Sequence, residues 1–366
     1  MKRILAWLLV LAALAGMTGC GSATAEVSET PEAAVAAEVA TTEPTVAPTT
    51  QPPVLEGALM LKVASITFSL VGESEDVYLG VLPREVITWE SDDPDIISVE
   101  DGVLTAKAVG TTTIRATYED RQAECAAGCL AETEEELKKL SYDILCQPKR
   151  LLPEVDLTAE CTAFDDAAIV GDSITYMMML VANKEKSLGD VLFLTRGGTS
   201  LSGFVMRSKN VYFRGKELNL EDAIAKSGVK RMYILIGSND IGSPTQKGKF
   251  FSNWDTLLER LREKSPELEI VIISNIPKFG TVVESQKPRF IEYNDTILEY
   301  NEKLKEYCQE KDCFYLDLYA YTEDHCGRMA KLYNRDGFHM NDKGNTNWIK
   351  VLRYYANFEL EGGTLS

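Results

Sequence analysis

Five short apolar runs in the C-terminal half, separated by stretches of helical periodicity, constrain this chain more than any other feature. They are Ile169-Val170, Val191-Leu192-Phe193-Leu194, Met232-Tyr233-Ile234-Leu235-Ile236, Ile270-Val271-Ile272-Ile273 and Phe314-Tyr315-Leu316. Each is near-continuous rather than alternating, as a strand covered on both faces must be. The clearest intervening helix puts Phe250, Phe251, Trp254, Leu257, Leu258 and Leu261 on one face and stops before Pro266, which makes Trp254 a core residue. A second runs from Phe290 to Cys308, and a last one follows Asp342 with Trp348, Val351, Leu352 and Tyr355 inward. Strands alternating with helices predict an α/β fold, a parallel sheet in three α/β/α layers, with any site at the carboxyl ends of the strands.

The 366 residues leave room for more than this one domain. Met1-Lys2-Arg3, an apolar run from Ile4 to Ala15 and Met17-Thr18-Gly19-Cys20 read as a secretory signal over residues 1–20. The small residues before Cys20 resemble a bacterial lipobox. That resemblance implies that Cys20 becomes the lipidated first residue of the mature protein, the competing outcome being ordinary cleavage and full secretion. Residues 21–57 are rich in Ala, Thr, Glu and Pro without apolar period, as a tether should be. The expected location is therefore the extracytoplasmic face of a bacterial membrane, held by the lipid at Cys20. No later apolar run is long enough to span a bilayer. A formal net charge of -18 counts against nucleic acid or an anionic membrane surface as the main partner. Of 8 cysteines, Cys125, Cys129, Cys146, Cys161, Cys308, Cys313 and Cys326 remain after Cys20, an odd set that leaves at least one unpaired within the monomer. Only Cys326 has a histidine beside it, His325, and adjacency is not a chelate, so no metal site is expected.

Between tether and α/β region, Leu59 to Tyr78, Val86 to Trp89, Ile96 to Val99, Val103 to Ala106 and Thr112 to Tyr118 alternate, with turn residues between them. Short strands at regular spacing predict a small all-β sandwich over residues 58–125. Trp89-Glu90-Ser91-Asp92-Asp93-Pro94, Ile97-Ser98-Val99, Gly102-Val103-Leu104-Thr105-Ala106 and Gly110-Thr111-Thr112-Thr113-Ile114 resemble the bacterial Ig-like domain of the second group. That resemblance implies a spacer or adhesive module, and a rigid stalk is the preferred role. Residues 126–161 read as a connector: Glu132 to Ile144 has helical spacing but is charge-rich, and Pro148 and Pro153 end it. The α/β domain is then expected over residues 162–366.

Four motifs end strands or begin loops there. Gly171-Asp172-Ser173 closes the first apolar run and is followed by a helical pattern from Ile174. Ser173 thus stands at a strand–turn–helix junction, where turn N–H groups and the helix dipole favour an anion. Arg196-Gly197-Gly198-Thr199-Ser200 follows the second run; glycines there let backbone approach a ligand, or simply make a turn. Gly237-Ser238-Asn239-Asp240 follows the third, and its Asn239 suits either an oxyanion or an Asx turn. Asp336-Gly337-Phe338-His339 precedes the last helix. With only 2 histidines in the chain, an imidazole base is His325 or His339. His339 has a carboxylate three residues earlier that can bond one ring nitrogen and leave the other for a serine, whereas His325 lies in the polar stretch Thr322-Glu323-Asp324-His325 and reads as a solvated loop residue.

In this order the four motifs resemble the SGNH (GDSL-like) hydrolase family over about residues 165 to 358. The resemblance implies a flavodoxin-like sheet with Ser173 as nucleophile, His339 as base and Asp336 as its orienting acid. It also implies an oxyanion hole of Asn239 with backbone N–H groups of Ser173 and a second-motif glycine. The second motif departs from the family's Asn-x-Gly-x-Ser-Gly and aligns in more than one register; Gly198 is the choice. The expected activity is a serine esterase acting on small acyl esters of carbohydrate or cell-wall glycan, with no metal or organic cofactor. Lipase, thioesterase and a non-catalytic surface binding protein are the alternatives.

Overall fold

The structure, a computed structural model, describes residues 57–206, 209–279 and 291–360. The expected signal, Cys20 and the tether up to residue 56 fall outside these residues. Eight strands come first: β1 (Ser65–Leu70), β2 (Ser74–Asp76), β3 (Thr88–Ser91), β4 (Ile97–Glu100), β5 (Val103–Ala106), β6 (Gly110–Tyr118), β7 (Arg121–Ala131) and β8 (Arg150–Leu151). They form a five-stranded sheet in the order β3-β6-β7-β1-β8 and a three-stranded sheet, β2-β5-β4. Ile66, Phe68 and Ile114 from the larger sheet meet Ile97 and Leu104 from the smaller in one core.

The boundary expected at residue 125 is wrong. β7 continues to Ala131, antiparallel to β6 and parallel to β1, with Ser65 opposite Ala126 and Leu70 opposite Ala131. Ala126-Ala127-Gly128 carries little strand preference of its own; two hydrogen-bonding neighbours impose the strand. Nor are residues 126–161 a free connector, because Arg150 and Leu151 pair antiparallel with β1 as its outer neighbour. The helical spacing over 132–144 gives two single turns, α1 (Glu134–Leu137), capped by the Thr133 side chain, and α2 (Tyr142–Leu145), which Ser141 starts anew from an extended conformation.

The α/β region follows as β9 (Ala167–Gly171), α3 (Ser173–Glu185), β10 (Leu192–Thr195), α4 (Leu201–Met206), a hairpin of β11 (Val211–Phe213) and β12 (Lys216–Leu218), and α5 (Leu220–Ser227). It continues with β13 (Arg231–Leu235), α6 (Ser238–Ile241), α7 (Pro244–Lys247), α8 (Phe250–Lys264), β14 (Glu269–Ile273), α9 (Ile291–Glu310), β15 (Phe314–Leu316) and α10 (Asp342–Leu360). Five strands make the parallel sheet, ordered β10-β9-β13-β14-β15. The period of two sends Ile169, Tyr233, Leu235, Val271 and Ile273 to one face, against Met178 and Val181 of α3 and Trp348, Val351 and Leu352 of α10. Val170, Met232, Ile234, Ile270 and Ile272 go to the other, against Leu257 and Leu261 of α8 and Ile297 and Leu304 of α9. Trp254 is fully buried there. The chain leaves β9 for β10 on one side and later returns to β13 on the other, so the end of β9 is the topological switch point, where such sheets open a crevice.

The first of those cores runs on into the β-sandwich. Tyr321 Oη donates to Lys62 O at 3.0 Å and Tyr354 Oη to Leu61 O at 2.6 Å. Arg150 bridges Glu75 of the sandwich at 2.8 Å and Glu323 of the α/β region at 2.5 Å. The described residues from 57 onward accordingly form one compact unit rather than a stalk and a separate domain.

Candidate active site

Ser173 owes its place to the two residues before it. A Cβ on Gly171 would stand 2.5 Å from Leu235 O on the neighbouring strand and 2.0 Å from Thr175 Oγ1, so only glycine lets the chain turn this close to β13. Asp172 then caps α3, its Oδ1 accepting from Ile174 N at 2.9 Å, and Ser173 becomes the first helical residue. The serine is half-buried, with its hydroxyl oxygen 2.9 Å from His339 Nε2.

The histidine is held from the far side. His339 Nδ1 lies 2.9 Å from Asp336 Oδ2, and the main-chain N–H groups of His339 and Phe338 donate to Asp336 Oδ1 at 2.8 and 3.1 Å. Partial burial alone would push this carboxyl up. The His339 and Phe338 donors and the charge of the imidazolium outweigh it and hold Asp336 down to about 2. The network is satisfied when Nδ1 carries the proton towards Asp336, which leaves the Nε2 lone pair facing the Ser173 hydroxyl.

The second and third motifs meet beside this pair. Arg196 to Thr199 make a turn, with Thr199 N donating to Arg196 O at 3.3 Å and Gly198 at φ +69°. A left-handed third position in such a turn asks for glycine, and this explains why Gly198 and not only Gly197 is needed. Both glycines are exposed, with open space where a side chain would project. Asp240, fully buried, accepts from Leu201 N at 2.7 Å and Ser202 N at 2.9 Å and so ties the start of α4 to the third motif. Burial pushes this carboxyl up, and those N–H groups pull against it.

Asn239, exposed, sends its amide nitrogen to Thr199 O at 2.6 Å and to Asp172 Oδ2 at 3.2 Å. Both amide protons are thus engaged, the second in the longer bond. Ser173, His339 and Asp336 come together in one chain of hydrogen bonds, and Gly198 shares the loop whose Thr199 carbonyl meets Asn239.

His325 is not the solvated loop residue its polar neighbours suggest. It is 7% exposed, with Nδ1 3.1 Å from Ser69 Oγ across the seam with the sandwich. Burial, then the charges of Lys149 and Arg150, push its imidazole down to about 3. The polar residues around it pair with each other and with the sandwich, which the local sequence does not reveal.

Three residues of the site carry weaker sequence signals. Asp172 reads as a cap but also holds Asn239, Asp240 reads as a turn residue but anchors α4, and Lys278 is a buried lysine. Lys278 follows the carboxyl end of β14 by five residues, and nothing in its local sequence marks it as buried. Among the described residues no group of three or more His, Cys, Asp or Glu side chains is placed to hold a metal ion, and the seven cysteines are all free thiols.

Residues 169–346 match the model of the GDSL-like lipase/acylhydrolase family. Residues 169–346 are thus a GDSL-like lipase/acylhydrolase domain. The GDSL-like domain makes the protein an ester-hydrolysing enzyme. No curated protein matches the chain. Among solved structures, one provisionally described as a platelet activating factor from Streptococcus pneumonia is 21% identical, with a TM-score of 0.43, covering 55% of this chain and 87% of that one. Another, provisionally described as an acylhydrolase from Bacteroides fragilis, is 18% identical with a TM-score of 0.43, over 53% and 87% of the two chains. A variant of an acetyl xylan esterase from Geobacillus stearothermophilus is 16% identical with a TM-score of 0.37, over 52% and 94%.

Proposed function

We propose that this acylhydrolase is a serine esterase that removes small acyl groups, acetyl foremost, from carbohydrate or cell-wall glycan through an acyl-Ser173 intermediate. The observation that carries the chemistry is the unbroken chain from Ser173 Oγ through His339 to Asp336, at 2.9 Å in each step. Ser173 Oγ attacks the ester carbonyl as its proton passes to His339 Nε2. The imidazolium so formed is paired with Asp336, which stays ionised because its donors hold it far below neutral pH. The oxyanion meets the Ser173 N–H at the start of α3, the N–H of Gly198 and the amide of Asn239. For that, Asn239 gives up its longer bond, the one to Asp172. His339 then protonates the leaving alcohol, and a water activated by the same nitrogen releases the acid.

The substrate class rests on the export signal, the Cys20 lipobox and the tether, which would put the enzyme outside the membrane, where acylated glycans abound. A lipase is the second reading. It is favoured by the apolar side chains beside the site: Phe338, next to His339, and Tyr176 and Leu180 on α3 are 46%, 43% and 45% exposed.

Hydrolysis of 4-nitrophenyl esters from acetyl to long acyl chains by the purified protein separates the two readings, with Ser173→Ala as control. Acetyl-selective, serine-dependent turnover is the expected result. A long-chain preference replaces it with the lipase, and turnover undiminished in Ser173→Ala removes the nucleophile assignment.

A further inference from the structure

Lys278 lies just beyond the carboxyl end of β14, on the same edge of the sheet as Ser173, and is 2% exposed. Its backbone is clamped by α9: its N–H donates to Asn294 Oδ1 and its carbonyl accepts from Asn294 Nδ2, each at 2.8 Å. The point from which the side chain starts is therefore fixed. Nζ is 3.5 Å from Ser238 Oγ and 5.7 Å from the centre of the Phe338 ring. Ser238 precedes Asn239 and Phe338 precedes His339, so the ammonium sits between the third and fourth motifs.

The charges that reach it are the Asp172 carboxylate, from the turn between β9 and α3, and the Asp336 carboxylate, from the loop before α10. Asp172 in turn feels His339 and Asp240. From α9, Tyr293 closes the group by donating to Ser238 O at 2.7 Å. A buried ammonium whose one hydrogen bond among the described residues is long is costly. Lysines that only support a fold turn their heads to water. Such an arrangement next to reacting groups marks a functional role.

We propose that Lys278 is a positioning residue of this esterase: its buried ammonium balances the Asp172 carboxylate, against which Asn239 rests, and keeps that carboxylate ionised while the oxyanion forms. The proposal rests on Ser173 as nucleophile. The reaction creates a negative charge beside Asn239, whose amide rests on the Asp172 carboxylate. Without a cation, Asp172 either takes up a proton and loosens Asn239 and the first turn of α3, or stays charged and opposes the oxyanion. Lys278 touches no substrate, so the loss falls on kcat and leaves KM in place. Burial lowers the ammonium to about 8 against the pull of its two carboxylates. Its charge is accordingly present below that pH and lost as the pH rises through it, which predicts an alkaline limb.

The test is the pH dependence, from about pH 6 to about 10, of kcat on a 4-nitrophenyl ester and of Ser173 labelling by a fluorophosphonate. Wild type, Lys278→Met and Lys278→Arg are compared, with thermal melting as the folding control. The wild type is expected to lose rate above about pH 8. Lys278→Met should be slower by about 10- to 100-fold at neutral pH, with KM within about twofold and no limb near pH 8. Lys278→Arg, charged throughout, should keep most of the rate and remain active where the wild type falls. Wild-type kcat in Lys278→Met, or a limb that persists in Lys278→Arg, overturns the proposal. Should neither variant fold, the wild type decides: a limb near pH 8 supports the proposal, and a flat kcat from about pH 7.5 to about 9.5 overturns it. If Ser173 labels normally while the lysine variants behave as wild type, only this proposal falls. If Ser173 does not label, or Ser173→Ala still turns over, the esterase assignment falls with it.

Discussion

Ser173 and His339 approach to 2.9 Å at the end of the parallel sheet, and Ser69 and His325 approach to 3.1 Å at the seam between sandwich and sheet. Each contact joins a serine hydroxyl to an imidazole nitrogen, Nε2 in the first and Nδ1 in the second, and their chemical prospects are opposite. A serine can pass its proton to an imidazole only if the resulting cation is tolerated. At His339 the second ring nitrogen meets Asp336, and the side chain keeps 30% of its surface in solvent. At His325 the site is closed, and the charges that act on the ring are those of Lys149 and Arg150. The first histidine has a partner for a positive charge and can act as a base, and the second is a neutral packing residue that ties the sandwich to the α/β region. A serine–histidine distance says little without the third group.

The largest test of that contrast is a pair of alanines. Ser173→Ala should lower kcat/KM on a responsive ester by at least ~10⁴-fold, whereas Ser69→Ala should stay within about twofold. A large loss from Ser69→Ala with normal melting would make the seam part of the catalytic machinery. Next in size, Asn239→Ala should cost about 100- to 1000-fold in kcat with little change in KM, as removal of one oxyanion donor does. An effect below about tenfold would mean that Asn239 keeps both bonds, to Thr199 and Asp172, throughout the reaction.

A further test concerns stability rather than turnover. With His325 at about 3 in the folded protein and near 6.5 when unfolded, the unfolded chain holds more protons between those values. The contribution is complete above about pH 6.5 and declines as the pH falls towards 3, by about 1.4 kcal/mol per unit. His325→Asn should therefore melt with a shallower loss between about pH 6.5 and about 4 than the wild type, with turnover unchanged at neutral pH. Parallel melting curves would show that the imidazole takes up its proton without leaving the seam.

The motifs of the candidate site were legible because each is local. Gly-Asp-Ser after an apolar run is a strand, a turn and a helix start within a few residues, and Asp-x-x-His places a carboxylate against its imidazole across a single turn. The five sheet strands were legible for a related reason, since burial on both faces leaves runs of large apolar residues. β7 escaped because its alanines and glycine have no pattern to read; it is a strand by virtue of β6 and β1 on either side. His325 escaped because acids and hydroxyls in sequence look solvated until the partners that bury them, Ser69 and Arg150, arrive from more than a hundred residues away.

The sequence by itself determined the class of fold, the succession of the five parallel strands and the residue types of a serine hydrolase, because these depend on periodicity and on contacts between near neighbours. Tertiary structure alone decided that His325 is buried at the seam, that Asn239 rests against Asp172 and Thr199, that a lysine is buried between two motifs, and that the sandwich shares a core with the enzyme. Those outcomes depend on burial and on charges brought together across the sheet, which set protonation and hydrogen bonding only once the chain has closed around them.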